Sequence, residues 1–382
     1  MTDQYSNPVA SATYGVAGQL LTLWMNNGTT ETRTYNSLMQ LTRQTAVVQP
    51  WGWGSLTVMD MEYRYTAGQN NGRIAQSMDW VTGEEVNYTY DSLQRVTGAA
   101  TVSGTWGTTY GYDGFGNLWN KTPTQGSAPP LSVSYDETTN RQYGVSYDAN
   151  GNPATINGTE VAWDEENRLA YQDGYWGLPY WYWQGHGLPV PPAEWEYDPW
   201  GKRVQSPGAN GAVRVSLYNL GGQVLYQMDC QTEYYGGCVP VQSFQYFGSK
   251  LLETADRLGS VRALFNQNWQ WVQPSYYPYG EENANPLPDG TIKYATYLRD
   301  GPGMDYAMNR YYSSALGRFY TPDPGGIRTA NPKNPGSWNR YAYGRGDPVN
   351  HRDQGWMMMM TMIPTVHRTA GQVECLSTTM DG

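Results

Sequence analysis

The sequence predicts an all-β protein, a wrapped sheet of short β-hairpins, and three observations carry that expectation. Aromatic residues make up 14% of the 382-residue chain, and they are 33 Tyr and 16 Trp against five Phe. With 44 Gly and 24 Pro, turn signals recur throughout, while charged residues are only 15%. Short strands joined by tight turns suit this composition. Disorder does not, because disordered chains lack such aromatics. The third observation is a repeat, which decides the architecture.

The repeating unit is an aromatic strand ending in Tyr-Asp, a turn, then Arg or Asn followed by an aliphatic residue. Its clearest copy is Val86-Asn-Tyr-Thr-Tyr-Asp-Ser-Leu-Gln-Arg-Val96. It returns at Tyr110–Leu118, Val145–Pro153, Val161–Leu169 and Trp195–Val204, with weaker copies at Tyr35–Leu41, Val133–Asp136 and Gly72-Arg73-Ile74. Alternation places Val86, Tyr88 and Tyr90 on one face of a strand. The aspartate opens the turn, because its carboxylate can accept backbone N–H groups two residues on. Gly or Asn then supplies positive φ, and the Arg can stack on a neighbouring tyrosine. One hairpin cannot bury its aromatic face alone, so successive hairpins stack side by side. The steps between Asp91, Asp113, Asp136, Asp148, Asp164 and Asp198 are 22, 23, 12, 16 and 34 residues. A wrapping sheet tolerates such spacing; a solenoid of equal rungs does not.

One acid per hairpin at the same position is what turn chemistry demands, so these aspartates read as structural and the Tyr and Trp residues mostly as core. The exception is an aromatic and proline-rich insertion at about 172–194. There Trp176, Trp181 and Trp183 are candidate ligand-binding aromatics for carbohydrate or a partner.

The net charge of −10 argues against nucleic acid and an anionic membrane surface as partners. Cys230 and Cys238 flank a possible hairpin loop, which leaves a local bridge and two free or buried thiols both open; Cys375 stands alone. His186, His351 and His367 are isolated from each other and from any Cys, so no metal site is expected. The N-terminus has no signal-peptide pattern, and the apolar run from Met357 to Ile363 is too short to span a bilayer. Export would need a longer parent chain or a separate route.

Between 246 and 356 the motifs become specific. Asp256-Arg-Leu-Gly-Ser-Val-Arg262, Tyr276-Tyr-Pro-Tyr-Gly-Glu281, Asn309-Arg-Tyr-Tyr312, Gly317-Arg-Phe-Tyr-Thr-Pro-Asp-Pro324, Asn339-Arg-Tyr-Ala-Tyr343 and Gly346-Asp-Pro-Val-Asn350 follow one another in order. This series resembles the Rhs repeat-associated core of bacterial Rhs proteins, and the hairpin units resemble YD repeats. The resemblance implies a β-spiral shell of YD hairpins whose core region plugs one end, enclosing a C-terminal effector. It divides the chain into a hairpin array (1–245), a core (246–356) and a variable or truncated tail (357–382). The tail is too short for a toxin core of its own and is expected to be poorly ordered.

In self-cleaving relatives an Arg and two Asp of the core act as an internal aspartic-type protease. The matching positions are Arg310, Asp323 and Asp353, with Trp356–Met357 as the candidate cleavage position. Two carboxylates near one bond suffice for acid–base hydrolysis if they share a proton beside the Arg. The first Asp-Pro-x-Gly is present at Asp323, but the second reads Asp353-Gln-Gly-Trp, without proline and one residue short. That departure favours a bracing role for Arg310 and Asp323 over working self-cleavage. Arg257 stands where the family usually carries histidine, at a position that reads as structural. The leading expectation is therefore a shell or scaffold portion of a polymorphic toxin or secreted protein. It has no cofactor and no multiple-turnover activity, and its partners are an effector and delivery machinery in a longer parent. A surface carbohydrate-binding or adhesion protein is the alternative; a self-cleaving core is the third reading.

Overall fold

The computed structural model describes residues 9–49, 54–173, 193–208, 211–231, 237–266, 268, 270–326, 331 and 335–353, and none of them is α-helical. Trp176, Trp181, Trp183, Trp356, Met357 and the 357–382 tail lie outside the described residues.

The first eleven strands form one antiparallel sheet in which each strand pairs with its sequence neighbour. They are β1 (Ala10–Tyr14), β2 (Leu20–Met25), β3 (Thr29–Tyr35), β4 (Leu41–Val48), β5 (Leu56–Tyr65), β6 (Ile74–Asp79), β7 (Glu84–Tyr90), β8 (Val96–Thr101), β9 (Trp106–Tyr112), β10 (Leu118–Gly126) and β11 (Leu131–Ser132). A four-stranded sheet follows, made of β12 (Thr155–Ile156), β13 (Thr159–Trp163), β14 (Leu169–Gln172) and β15 (Ala193–Glu194). A five-stranded one comes next, with β16 (Glu196–Tyr197), β17 (Arg203–Pro207), β18 (Val213–Tyr218), β19 (Val224–Cys230) and β20 (Cys238–Ser243). Cys230 and Cys238 face each other across β19 and β20 and are joined by a disulfide. Of the two states left open by their spacing, the bridge is the one formed.

Each aspartate makes the turn expected of it. Asp91 Oδ1 accepts the N–H groups of Leu93 and Arg95, both at 2.9 Å, and Arg95 Nε returns to Asp91 Oδ2 at 2.7 Å. Asp113, Asp164 and Asp198 repeat the pair of backbone bonds. The arginine that closes a turn also covers a tyrosine of the next unit: Arg95 lies 4.6 Å over Tyr112, and Arg168 4.5 Å over Tyr197.

In five units the tyrosine that ends the strand before the turn does more than fill the core. Its hydroxyl donates to a main-chain carbonyl of the preceding hairpin, where the return strand begins. Tyr65 reaches Leu41, Tyr90 reaches Ile74, Tyr112 reaches Val96, Tyr197 reaches Leu169 and Tyr218 reaches Arg203, at 2.7–3.0 Å. Phenylalanine could not make this bond, which gives a physical reason for the excess of Tyr over Phe.

Residues 256–353 pack against β4–β10 of the large sheet, while Phe247 and Leu252 pack against β1 and β2. Val86, Val96, Trp106, Tyr110 and Leu118 share a core with Tyr276, Tyr277, Tyr279, Tyr294, Tyr297, Tyr312, Phe319 and Tyr343. Most of the rings pack edge-on or tilted, with Tyr312 and Tyr343 centroids 4.4 Å apart, and Tyr294 stacks on Tyr312 at a centroid distance of 6.3 Å. Gly280 has φ +94°, and a Cβ there would lie 2.6 Å from the Tyr294 ring, so the Tyr-Pro-Tyr-Gly-Glu motif requires its glycine on both counts.

Residues 339–353 run as a strap along the rim where the Asp turns lie. Asn339 donates to Asn117, the Tyr341 hydroxyl to the carbonyl of Gly151, and Arg352 to the carbonyl of Leu258. Asp347 pairs with Arg73 at 2.9 Å. Asn350 accepts the Ile74 N–H at 3.0 Å and donates to the Tyr90 hydroxyl at 3.0 Å.

Candidate functional site

The strap ends at Asp353, beside the other two residues singled out by the core motifs. Arg310 follows a tight loop in which the Ala307 N–H bonds the Arg310 carbonyl. Its guanidinium is only 8% exposed and lies 3.6 Å over the Phe319 ring. Nη2 donates to Asp353 Oδ2 at 2.9 Å, stands 3.9 Å from Asp323 Oδ2, and Nη1 donates to the Arg340 carbonyl at 3.2 Å. One buried cation thus faces two carboxylates from chain positions thirty residues apart.

The carboxylates are held in different ways. Asp323 opens an Asx turn, with Oδ1 accepting the Gly325 N–H at 2.7 Å, and its own N–H donates to the Arg340 carbonyl at 2.8 Å. Asp353 is held through its main chain, whose carbonyl accepts the Tyr297 hydroxyl at 2.9 Å. Burial pushes the Tyr297 phenol well above its ordinary range, so it remains a donor. Sequence reasoning missed Tyr297 and the Arg340 carbonyl, for which no local pattern points to a role here.

Chemically, the cluster is two part-exposed carboxylates bridged by an arginine, a set able to brace a chain end or to serve as an acid–base pair. Arg310, Asp323 and Asp353 are brought together, while the candidate cleavage position and the candidate ligand aromatics fall outside the described residues. No group of His, Cys, Asp and Glu able to hold a metal occurs among the described residues. Arg257, the other departure from the motif pattern, lies 5.4 Å over the Tyr63 ring and donates to the Val349 carbonyl.

This architecture has solved counterparts. The Tc holotoxin pore of Photorhabdus luminescens, carrying a mutation in TccC3, superposes with a TM-score of 0.68 at 18% identity, over 94% of this chain and 19% of that one. TcdB2-TccC3 without its hypervariable C-terminal region gives 0.67 at 18% identity, over 90% and 19%. The chain has the β-shell fold of the Tc toxin Rhs-repeat proteins. Curated relatives include the tRNA3(Ser)-specific nuclease WapA of Bacillus spizizenii and the tRNA nuclease WapA of Bacillus subtilis strain 168. Each is 28% identical over 263 residues, 64% of this chain. The chain spans about a tenth of the length of these relatives. No family model matches it.

Proposed function

We propose that this chain is a segment of shell wall from an Rhs-type bacterial polymorphic toxin or secreted protein, one that encloses a C-terminal effector delivered by a longer parent. The observation that carries the reading is the sealed inner face: a tyrosine core from 256–353 lies against the sheet, and a strap is laced to the turn rim. A free-standing adhesive sheet has no need of such a plug, whereas a container does. A tRNA nuclease is the effector class that the names of the WapA relatives suggest. The test is electron microscopy of the parent protein with protease challenge. A curved wall around a lumen, with the segment after residue 353 protected until the shell is denatured, is expected. An open sheet with that segment cut at the rate of an unfolded peptide would sink the reading.

A second reading, self-cleavage after the strap, is favoured by one observation, the contact of Arg310 with both Asp323 and Asp353. Intact-mass spectrometry of purified chain decides it. Cleavage near Trp356 that Asp353→Asn and Asp323→Asn each abolish supports an acid–base pair. Full-length mass in the unmodified protein leaves the cluster a brace.

A further inference from the structure

The strap meets the sheet at a charged joint centred on Arg73, the residue before β6. Arg73 holds three neighbours there. Its Nε pairs with Asp347 Oδ2 at 2.9 Å, its Nη2 donates to Gln94 Oε1 at 2.6 Å, and its Nη1 lies 3.0 Å from His351 Nε2. A guanidinium has only N–H groups to offer. His351 Nε2 must therefore accept, which requires a neutral imidazole with its proton on Nδ1. The His351 N–H donates to the Asp347 carbonyl at 3.0 Å, which keeps the ring at this joint.

A proton added to that nitrogen turns the acceptor into a donor and sets cation against cation. The surroundings favour the neutral ring. Burial is the largest influence against the proton, and Arg73, Arg345 of the 344–346 turn and Arg257 of the Asp256 turn act in the same direction. One carboxylate opposes them, Asp347, whose Oδ2 is 3.9 Å from Nε2. That carboxylate is shared. Besides Arg73, its Oδ1 accepts the Asn350 carboxamide at 2.9 Å and the Asn350 N–H at 3.1 Å.

We propose that His351 is an acid-sensitive latch: neutral, it closes the joint between strap and sheet; protonated, it pushes residues 346–351 away from Arg73. The latch goes beyond the shell-wall reading and does not depend on it, since the joint lies wholly within this chain. For a container, the consequence is a wall whose strap loosens in acid. Because the folded joint requires the neutral ring, the contribution of His351 is complete above the ordinary imidazole value of 6.5. It is lost as pH falls below that value. Asp347, held above 3.8 chiefly by burial, takes its proton more readily folded than unfolded and works in the opposite sense. His351→Gln separates the two, because it keeps a side-chain acceptor for Arg73 and does not titrate.

Two measurements test the latch. NMR titration of the imidazole protons, with His351→Gln assigning the signal among the three histidines, should place His351 below 6.5. Arg73→Gln should move it up. Hydrogen exchange at pH 7.5 and 5.5, corrected for intrinsic rate, should show the start of β6 and residues 346–351 opening more in acid, with β2 and β3 unchanged. Opening that takes up one proton rises by at most about tenfold per pH unit, and His351→Gln should lose that response. If Arg73→Gln folds poorly, the parent titration and His351→Gln, at a half-exposed position, still decide. A His351 pKa at or above 6.5, or equal protection at both pH values, overturns the proposal. So does an acid response that His351→Gln retains in full, which would mean that other groups open the strap.

Discussion

At the scale of single residues, most buried charge among the described residues is paired. Lys121 bonds Glu281 and the carbonyls of Ser314 and Ala315; Arg203 bonds Asp300; Arg299 bonds Asp305 through both Nε and Nη2. Such pairs add little net stability against apolar substitutes, but losing one partner leaves a costly buried charge. Glu253 departs from this pattern. Its Oε2 is buried without a hydrogen-bond partner, and Lys250, its nearest compensating charge, is engaged with Glu31 at 3.1 Å. Burial pushes the Glu253 carboxyl up to about 7 from 4.5. The folded state therefore holds a proton that the unfolded chain releases between about 4.5 and 7, so this residue's contribution falls as pH rises through that window and is flat above it. Glu253→Gln, which cannot ionise, should remove the loss. Urea unfolding of both proteins from pH 4 to pH 8 should show the variant gaining on the parent across the window. A constant difference at every pH would mean the carboxyl is not buried as described.

At the scale of the element, the hairpin explains how much was legible beforehand. The Asp turn closes on residues two and four positions away, so Asp91, Asp113 and Asp164 could be assigned from sequence spacing alone. The tyrosine hydroxyl reaches back 15 to 28 residues to the previous hairpin. That offset depends on how hairpins stack, which no local pattern encodes, and the side chain was legible only as core. Tyr197→Phe isolates the bond, because it keeps the ring under Arg168 and removes only the donation to the Leu169 carbonyl at 2.9 Å. A buried hydrogen bond of this kind contributes about 1 kcal/mol, and that is the expected loss in denaturant unfolding. Tyr143→Phe, at a 59% exposed position, should change stability by less than about 0.5 kcal/mol. Equal effects at the two sites would show that the hairpin-to-hairpin bond is not what selects tyrosine.

At the scale of the whole molecule, the strap ties hairpins far apart in sequence to one another. Its partners lie far away in sequence: Asn350 to Ile74 spans 276 residues and Asn339 to Asn117 spans 222. The ordered motifs pointed to a plug, but pairings across such separations follow only from the wrapped sheet. This also explains why the Gly-Asp-Pro-Val-Asn motif ends in asparagine. The Asn350 carboxamide accepts the Ile74 N–H, donates to the Tyr90 hydroxyl and donates to Asp347 Oδ1 at 2.9 Å, a combination that aspartate and leucine each lack in part. Ile74 is 1% exposed, so Asn350→Ala leaves its N–H buried without that acceptor, at a cost of about 1–3 kcal/mol. If the strap is the element that closes the rim, the damage should stay local at first. Hydrogen exchange should quicken in residues 346–353 and at the start of β6 and leave β2 and β3 unchanged. The single change should leave Asp353 on Arg310, because the chain beyond Asn350 is still anchored through Arg352 and the Tyr297 bond. Arg352→Ala added to Asn350→Ala should therefore accelerate exchange more than the sum of the two single changes. Strictly additive effects would mean that the two anchors act independently and that the strap does not close the rim as a unit.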